Sequence, residues 1–176
     1  MKIKDKTFKI LISEKELQSK ILAISKAINK DYKDKTPLFI GILNGSFMFV
    51  ADILKNISLQ CEISFIKLAS YTEMTSSGSV KELLGLNENI FKRDIIILED
   101  IIDSGKTISS VIEEFKLRGA ESVEVATLLL KPDALKVEAD IKYIGFEISN
   151  EFVVGYGLDY DGIGRNLEHI YKIVQE

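Results

Sequence analysis

Residues 95–107 constrain the fold of this chain more than any other part of the sequence. The first four are apolar (Ile-Ile-Ile-Leu), which is typical of a strand buried on both faces in a parallel sheet. Apolar residues then recur at helical spacing from position 108 to position 115, and Gly119 is a suitable left-handed helix stop. The pattern predicts a strand, a short loop and a helix.

The loop of this unit has the residues of a phosphate-binding site. In open α/β sheets ligands bind beyond the carboxyl ends of the strands, where Glu99 and Asp100 occur. Residues 103–107, Asp-Ser-Gly-Lys-Thr, then bring backbone N–H groups, hydroxyls and a helix N-terminus together. A nucleoside-triphosphate P-loop would need a glycine in place of Asp100. Carboxylates favour sugar hydroxyls or a divalent cation, so a ribose phosphate is the expected ligand.

The simplest alternative is a solvated acidic strand end followed by an ordinary capped helix. An isolated Glu-Asp pair would favour that interpretation, but the complete pattern of thirteen residues argues against it.

The rest of the chain alternates helices with buried strands. A capping box of Ser13 and Glu16 begins a first amphipathic helix, which the polar stretch 30–37 ends. The apolar patterns predict further strands at 38–43, 63–68, 123–130 and 141–146, and a second helix at 47–55. Residues 72–79 have no apolar period and predict a loop near the site. Because no repeat or linker interrupts this order, we expect one continuous α/β domain.

Composition narrows the function classes. A chain of 176 residues with 46% hydrophobic residues can build one sizeable core. The net charge of −4 argues against a general nucleic-acid surface. The sequence has no membrane-length apolar run or secretory pattern, and its one cysteine, Cys61, excludes an intramolecular disulfide. We expect a cytoplasmic protein that binds neither nucleic acid nor a membrane.

Residues 95–107 resemble the phosphoribosyl-diphosphate (PRPP) motif of the type I phosphoribosyltransferases. Four other blocks resemble the hypoxanthine-guanine branch of that family, and the resemblance covers about residues 38–165. These blocks are Leu43-Asn44-Gly45, Ser70-Tyr71, Leu129-Leu130-Lys131, and Phe152-Val153-Val154-Gly155-Tyr156-Gly157-Leu158-Asp159-Tyr160 with Arg165. Several ordered blocks at matching spacing are more specific than any single motif.

The resemblance implies the α/β fold of the type I enzymes, with a central, mainly parallel sheet flanked by helices and a small hood. Residues 1–176 would form a single domain, with the hood built from the N- and C-terminal segments and a mobile lid at about 70–86. The assembly would be a homodimer or a homotetramer. The peptide bond between Leu43 and Asn44 would be able to adopt the cis form.

The activity implied by the resemblance belongs to purine salvage. The enzyme would be a glycosyltransferase that makes IMP, and also GMP, from PRPP and a 6-oxopurine base, with Mg²⁺ as cofactor and pyrophosphate as the second product. One rival is an enzyme of the same fold acting on another base. The other is a PRPP-binding regulator without turnover, which would need a basic groove or an added helix-turn-helix to control nucleic acid.

The resemblance also implies which residues would contact the ribose phosphate, the leaving pyrophosphate and the metal ion. Asp103 would be the general base that accepts the purine N7 proton, and its alternative role is a helix N-cap. The ribose phosphate would contact Glu99, Asp100, Asp103, Ser104, Gly105, Lys106 and Thr107. Pyrophosphate would contact Asn44, Gly45, Ser70, Tyr71 and Arg165. The metal ligands would be Glu99, Asp100 and Asp159.

The purine base would contact Lys131, Phe152 and Val153. An ammonium can only donate hydrogen bonds, so Lys131 would favour a 6-oxo group and reject the 6-amino group of adenine. Phe152 would stack on the ring, and the Val153 backbone would meet the edge near C2. The chain departs from many relatives at Asn44, where they have lysine, so a positive charge near the pyrophosphate is missing.

Overall fold

The computed structural model describes residues 1–68, 83–84, 86, 88–138 and 140–174. In this part of the chain the helices are α1 (Glu14–Asp31), α2 (Phe47–Lys55) and α3 (Lys106–Leu117). The strands are β1 (Lys2–Ile3), β2 (Lys6–Ile12), β3 (Leu38–Leu43), β4 (Glu62–Leu68), β5 (Leu83–Leu84), β6 (Asp94–Ile102), β7 (Ser122–Leu130), β8 (Tyr143–Glu147), β9 (Val153–Val154) and β10 (Ile170–Ile173). A short 3₁₀ helix covers Pro132–Ala134.

The larger sheet has the strand order β5-β4-β3-β6-β7-β8. The strands β4, β3, β6, β7 and β8 run parallel, and β5 pairs antiparallel with β4. Helices α1 and α2 pack on one face, and α3 packs on the other. The expectation of a central, mainly parallel sheet flanked by helices is therefore confirmed.

The sheet divides the core into two layers because successive strand residues point to opposite faces. In β6, Ile96 and Leu98 pack with α1 and α2, whereas Ile95 and Ile97 pack with α3. All four side chains are fully buried. Burial on both faces explains why this run lacks an apolar-polar alternation.

Local signals set the helix ends. In α1 the Glu16 N–H donates to Ser13 Oγ at 3.4 Å, and the Ser13 N–H donates to Glu16 Oε2 at 2.9 Å, so the capping box is formed. Helix α3 ends two residues before Gly119, whose φ of +81° is the predicted left-handed stop. The bounds of β3 and α2 also agree with the prediction.

The smaller sheet is antiparallel, with the order β1-β2-β10-β9, and combines N-terminal with C-terminal segments. One set of its side chains, including Phe8 and Val154, forms a small separate core. Val153 and Ile170 join the core on the α1 and α2 side of the larger sheet. This sheet is the hood. Among the helices of the described residues, none has the length and apolar character needed to span a membrane.

Candidate functional site

The connections of the larger sheet change face between β3 and β6. After β3 the chain enters α2 on one face, whereas after β6 it enters α3 on the other. The pairing of β3 with β6 stops at Gly41 and Leu98, while β6 continues beside β7 to Ile102. The carboxyl ends of β3 and β6 therefore border a crevice, which is the usual position of a ligand site in such a sheet.

Strand β6 extends beyond its apolar run and includes Glu99 and Asp100. Because neighbouring strand residues point to opposite sides, these two carboxylates diverge. Glu99 lines a cavity at the loop of residues 103–107, whereas Asp100 is buried against Gly45. The Oδ1 atom of Asp100 accepts a hydrogen bond from the Ile101 N–H at 3.0 Å. The acidic pair does not present two carboxylates to one point.

Residues 103–107 form the loop between β6 and α3. Gly105 has a φ of +76° and lies directly before the first residue of α3, so a residue free to adopt the left-handed region is needed there. A cavity of about 190 Å³ at this loop is lined by Glu99, Ile101, Ile102, Asp103, Ser104, Gly105, Thr107 and Ile108. The cavity brings together all of the residues predicted to contact the ribose phosphate except Asp100 and Lys106.

Gly45 lies where three segments meet: its own turn after β3, strand β6 and the loop after β9. The turn that contains it follows β3 and has a cis peptide bond between Leu43 and Asn44, as the resemblance implied. A Cβ atom on Gly45 would lie 1.5 Å from Asp100 Oδ2, and a Cβ atom on Gly157 would lie 1.9 Å from the Gly45 carbonyl oxygen. Glycine at both positions therefore allows the turn to lie between β6 and the loop after β9.

Substitution of Gly45 by alanine is expected to impair both folding and activity. The added methyl group would displace Asp100 or the turn, and overpacking of this kind costs about 1–3 kcal/mol of stability. We expect a thermal melt at least several degrees below the wild type and a loss of PRPP affinity measured by calorimetry. Unchanged melting temperature and affinity would show that the turn can move freely.

Arg165 and Asp159 form an ion pair in the loop after β9. Arg165 Nη2 lies 2.6 Å from Asp159 Oδ1, and Arg165 Nη1 donates to the Gly157 carbonyl at 2.7 Å. Asp159 Oδ2 accepts from the Gly162 N–H at 2.7 Å. Both charged side chains are about one-third exposed. The predicted pyrophosphate arginine and the predicted metal carboxylate therefore lie together and remain accessible to a ligand.

Lys131 and Asp103 form the pair most relevant to chemistry. Lys131 Nζ lies 3.4 Å from Asp103 Oδ2, and the lysine side chain is 10% exposed while the aspartate is 56% exposed. The Lys131 N–H donates to the Ile102 carbonyl at 3.0 Å. This pair was not predicted from the sequence. Each residue is the first one after its strand, so pairing of β6 with β7 is the signal that could have found it.

Phe152 and Val153 lie in the hood rather than on the larger sheet. Phe152 is 45% exposed, and its ring makes an edge contact with Tyr160 at a centroid distance of 5.7 Å. Val153 is buried and pairs with Lys172 across β9 and β10. An exposed aromatic ring beside a buried strand residue can offer a stacking face together with fixed backbone groups.

The predicted metal ligands do not form a closed cage. Within the described part of the chain, no group of three or more His, Cys, Asp or Glu side chains is close enough to hold a metal ion. Glu99 lines the cavity, Asp100 lies against Gly45, and Asp159 pairs with Arg165, so the three carboxylates have separate surroundings. Ser70 and Tyr71, predicted to contact pyrophosphate, lie outside the described residues.

Comparison with known proteins identifies the family. The family model described as "Phosphoribosyl transferase domain" matches residues 12–161. The hypoxanthine-guanine phosphoribosyltransferase of Bacillus subtilis is 44% identical over 163 residues, which are 92% of this chain and 91% of that protein. The bifunctional protein TilS/HprT of Listeria monocytogenes is 45% identical over 163 residues. That match covers 92% of this chain, which spans only 25% of the length of the bifunctional protein.

Solved structures agree with the sequence comparison. A crystal structure of a hypoxanthine phosphoribosyltransferase from Staphylococcus aureus superposes with a TM-score of 0.89 at 36% identity. The superposition covers 97% of this chain and 93% of that structure. The chain therefore belongs to the phosphoribosyltransferase family, within the group of the hypoxanthine-guanine enzymes.

Proposed function

We propose that this protein transfers the 5-phosphoribosyl group of PRPP to N9 of hypoxanthine, and of guanine, to give IMP or GMP and pyrophosphate. The activity is that of a pentosyltransferase in purine salvage. One observation carries the proposal: the Lys131 ammonium lies 3.4 Å from the carboxylate of Asp103, which lines the cavity at the loop of residues 103–107. The Lys131 ammonium can donate to O6 of a 6-oxopurine, and the Asp103 carboxylate can accept the N7 proton that the purine must lose.

The 5′-phosphate would bind the loop of residues 103–107. The backbone N–H groups at the start of α3 point toward the cavity end of the helix and favour an anion. The hydroxyls of Ser104 and Thr107 lie in residues that line the cavity and can donate to phosphate oxygens. Glu99 lines the same cavity and can accept from a ribose hydroxyl.

In the reaction, the bond between C1 of the ribose and the pyrophosphate oxygen breaks while a bond from N9 to C1 forms. Positive charge develops on the ribose, as in an oxocarbenium ion. Asp103 would accept the N7 proton, and Lys131 would donate to O6 of the purine. An ammonium has three donors, so Lys131 can bind O6 without releasing Asp103.

The base would lie between the carboxyl end of β6 and the hood. Ile101 lines the cavity, and Phe152 offers a ring that is 45% exposed for stacking. Backbone groups of Val153 would meet the edge near C2. Discrimination between hypoxanthine and guanine would therefore depend on backbone contacts rather than on a charged side chain.

Pyrophosphate would leave toward the Gly45 turn. Arg165 supplies a planar guanidinium suited to bidentate contact, and Asn44 is an exposed residue of the same turn. Ser70 and Tyr71 would close over this group from the lid of about residues 70–86. We propose that the turn, lid and hood belong to a single phosphoribosyltransferase domain of residues 1–176.

Membership of the family indicates a requirement for a divalent metal, and we propose Mg²⁺. Mg²⁺ keeps several waters and is usually bound by one or two carboxylates plus substrate phosphates. The separate surroundings of Glu99, Asp100 and Asp159 suit this mode, since PRPP would supply most of the oxygen ligands. The partly exposed Asp159 is the carboxylate best placed to accept from metal-bound water. The bound ion would neutralise charge on the leaving pyrophosphate.

Pyrophosphate release tests the function. The purified protein is supplied with PRPP, Mg²⁺ and one base at a time: hypoxanthine, guanine, xanthine, adenine or uracil. We expect turnover with hypoxanthine and guanine and only trace turnover with adenine. Binding of PRPP without turnover on any base would favour a regulator instead.

We also propose that the enzyme acts in the cytoplasm. A chain with one cysteine is in keeping with that compartment, where disulfides are rare.

We also propose that the chain forms a homodimer or a homotetramer. Phe47 of α2 and Ile63 and Phe65 of β4 are exposed by 42%, 41% and 39%. A Cβ atom on Gly41 would touch both Val50 of α2 and Phe65, so the helix and the strand are adjacent on this face. Neighbouring exposed apolar side chains of this size are typical of an interface between protein subunits.

Replacement of Phe65 by glutamate is expected to dissociate the assembly. Burial of a new charge in an apolar interface is unfavourable, so light scattering should report the mass of a monomer. Leu117→Glu is the matched control, because Leu117 is 84% exposed at the end of α3. If Phe65→Glu keeps the mass of the wild type, this face is not the interface.

A further inference from the structure

Tyr156 joins three segments through one partly buried carboxylate, that of Asp52. The Tyr156 side chain is fully buried, and its hydroxyl donates to Asp52 Oδ2 at 2.5 Å. Gln18 Nε2 donates to the same oxygen at 2.8 Å, and Lys55 Nζ donates to Asp52 Oδ1 at 2.9 Å. Gln18 lies in α1 and Asp52 in α2, whereas Tyr156 follows β9. The contact therefore connects the two helices to the loop that carries Arg165.

The protonation states favour a strong contact. Burial alone would raise the pKa of Asp52, but the hydrogen bonds from Tyr156, Lys55 and Gln18 hold that pKa below its ordinary value. Burial, together with the hydrogen bond to Asp52, raises the pKa of Tyr156. The phenol thus stays neutral and the carboxylate ionised near neutral pH. Hydrogen bonds to an ionised partner are about twice as strong as neutral ones.

The backbone on either side of Tyr156 has little freedom to shift. A Cβ atom on Gly155 would lie 2.1 Å from the His169 carbonyl oxygen, and one on Gly157 would lie 1.9 Å from the Gly45 carbonyl oxygen. The Tyr156 N–H donates to the Leu167 carbonyl at 2.8 Å. The close backbone packing and the hydrogen bond from the Tyr156 side chain to Asp52 therefore both act on the segment that places Gly157 against Gly45.

Gly157 links this anchor to the charged pair of the site. Its carbonyl accepts from Arg165 Nη1 at 2.7 Å, and its N–H donates to the Arg165 carbonyl at 2.9 Å. Arg165 in turn holds Asp159 at 2.6 Å. Helix α2, which carries Asp52, begins two residues after Gly45. The loop is therefore attached to the turn and to the helix that continues from the turn.

We propose that Tyr156 and Asp52 are positioning residues, which hold the Arg165–Asp159 pair against the Gly45 turn and so preorganise the pyrophosphate site. The inference rests on the proposed function of that site. Among the residues assigned to the purine, Lys131 follows β7 and pairs with Asp103. Phe152 directly precedes β9, and Val153 is held in β9 by its own pairing with Lys172 of β10. Loss of the anchor should therefore affect PRPP far more than the base.

Tyr156→Phe removes only the hydroxyl. We expect the KM for PRPP to rise about tenfold, with the KM for hypoxanthine within about twofold of the wild type, because small displacements of positioning groups weaken the contacts they organise. Asp52→Ala should give the same result. Asp52→Asn keeps an acceptor oxygen for the phenol, so its PRPP affinity should lie much closer to the wild type than that of Asp52→Ala. This difference between two variants of one residue also shows that the effect does not come from misfolding of a single variant.

Tyr143→Phe is a matched control. The Tyr143 side chain is buried, and its hydroxyl donates to Asp31 Oδ2 at 2.8 Å, but it lies at the first residue of β8, away from the carboxyl ends of the strands. This variant should lose a similar hydrogen bond and leave both KM values unchanged. A PRPP effect as large in Tyr143→Phe as in Tyr156→Phe, or no effect in Tyr156→Phe, would overturn the inference.

Calorimetry with PRPP separates this inference from the proposed reaction. If the wild type turns over no base, the proposed function fails, but the affinity for PRPP can still be compared between wild type and Tyr156→Phe. About tenfold weaker binding in the variant would support the positioning role. Equal affinity would refute it, whatever the activity of the wild type.

Discussion

Replacement of Asp103 by asparagine is expected to slow turnover by about 10²–10⁴-fold, which is the usual contribution of a positioned general base. The amide has the shape of the carboxylate but cannot accept the N7 proton. Asp103 is 56% exposed, so the loss of its charge should disturb the fold little. The backbone N–H groups of residues 103–107 remain available, and PRPP affinity should stay within about threefold.

Steady-state pyrophosphate release measures turnover, and calorimetry measures the affinity for PRPP separately. Asp34→Asn is a suitable control, because Asp34 is exposed in the connection between α1 and β3, at the amino end of that strand. It should leave both quantities unchanged. If Asp103→Asn kept full turnover, the assigned base would be wrong. The N-cap position of α3 is Gly105, with no side-chain cap hydrogen bond. If turnover and PRPP affinity fell equally, Asp103 would therefore act by shaping the loop before α3 and not as the general base.

The elements predicted best were those with a signal contained in a few neighbouring residues. Ser13 and Glu16 formed the expected capping box, and Gly119 formed the expected helix stop. The bounds of β3 and α2 were also correct. In each case the apolar period or the cap depends on residues within one or two turns, so tertiary contacts have little to change.

The ends of other strands depend on pairing with a strand that is distant in the sequence. Strand β6 continues through Glu99 and Asp100 because β7 pairs with it as far as Ile102, although acidic residues end the apolar run. In the hood, β1 and β9 have only two residues each, too few for a periodic pattern. The hood was expected from the family resemblance, and the residues alone did not predict it.

In the site, too, features within a few neighbouring residues could be predicted, whereas contacts between distant segments could not. Residues 103–107 are contiguous, so their chemistry could be recognised in sequence. The ion pair of Lys131 with Asp103 and the hydrogen bond of Tyr156 to Asp52 join positions 28 and 104 apart in the chain. Such contacts depend on strand order and packing, which a single sequence does not display.

Replacement of Lys131 by methionine is expected to lower kcat/KM for hypoxanthine by about 10–100-fold, since a hydrogen bond from a charged donor contributes about 1.5–3 kcal/mol. Methionine keeps an unbranched chain in a place where the lysine side chain is 10% exposed, so packing should change little. The ammonium that opposes a 6-amino group is also removed. The preference for hypoxanthine over adenine should therefore narrow by at least tenfold.

Relative kcat/KM values for hypoxanthine, guanine and adenine measure this specificity directly. Lys116→Met is the control, because Lys116 is exposed in the last turn of α3, and all three values should match the wild type. A uniform decrease for every base would mean that Lys131 acts through Asp103 instead of recognising O6. A selective decrease for the 6-oxopurines would assign the recognition of O6 to Lys131, because only those bases offer an acceptor to its ammonium.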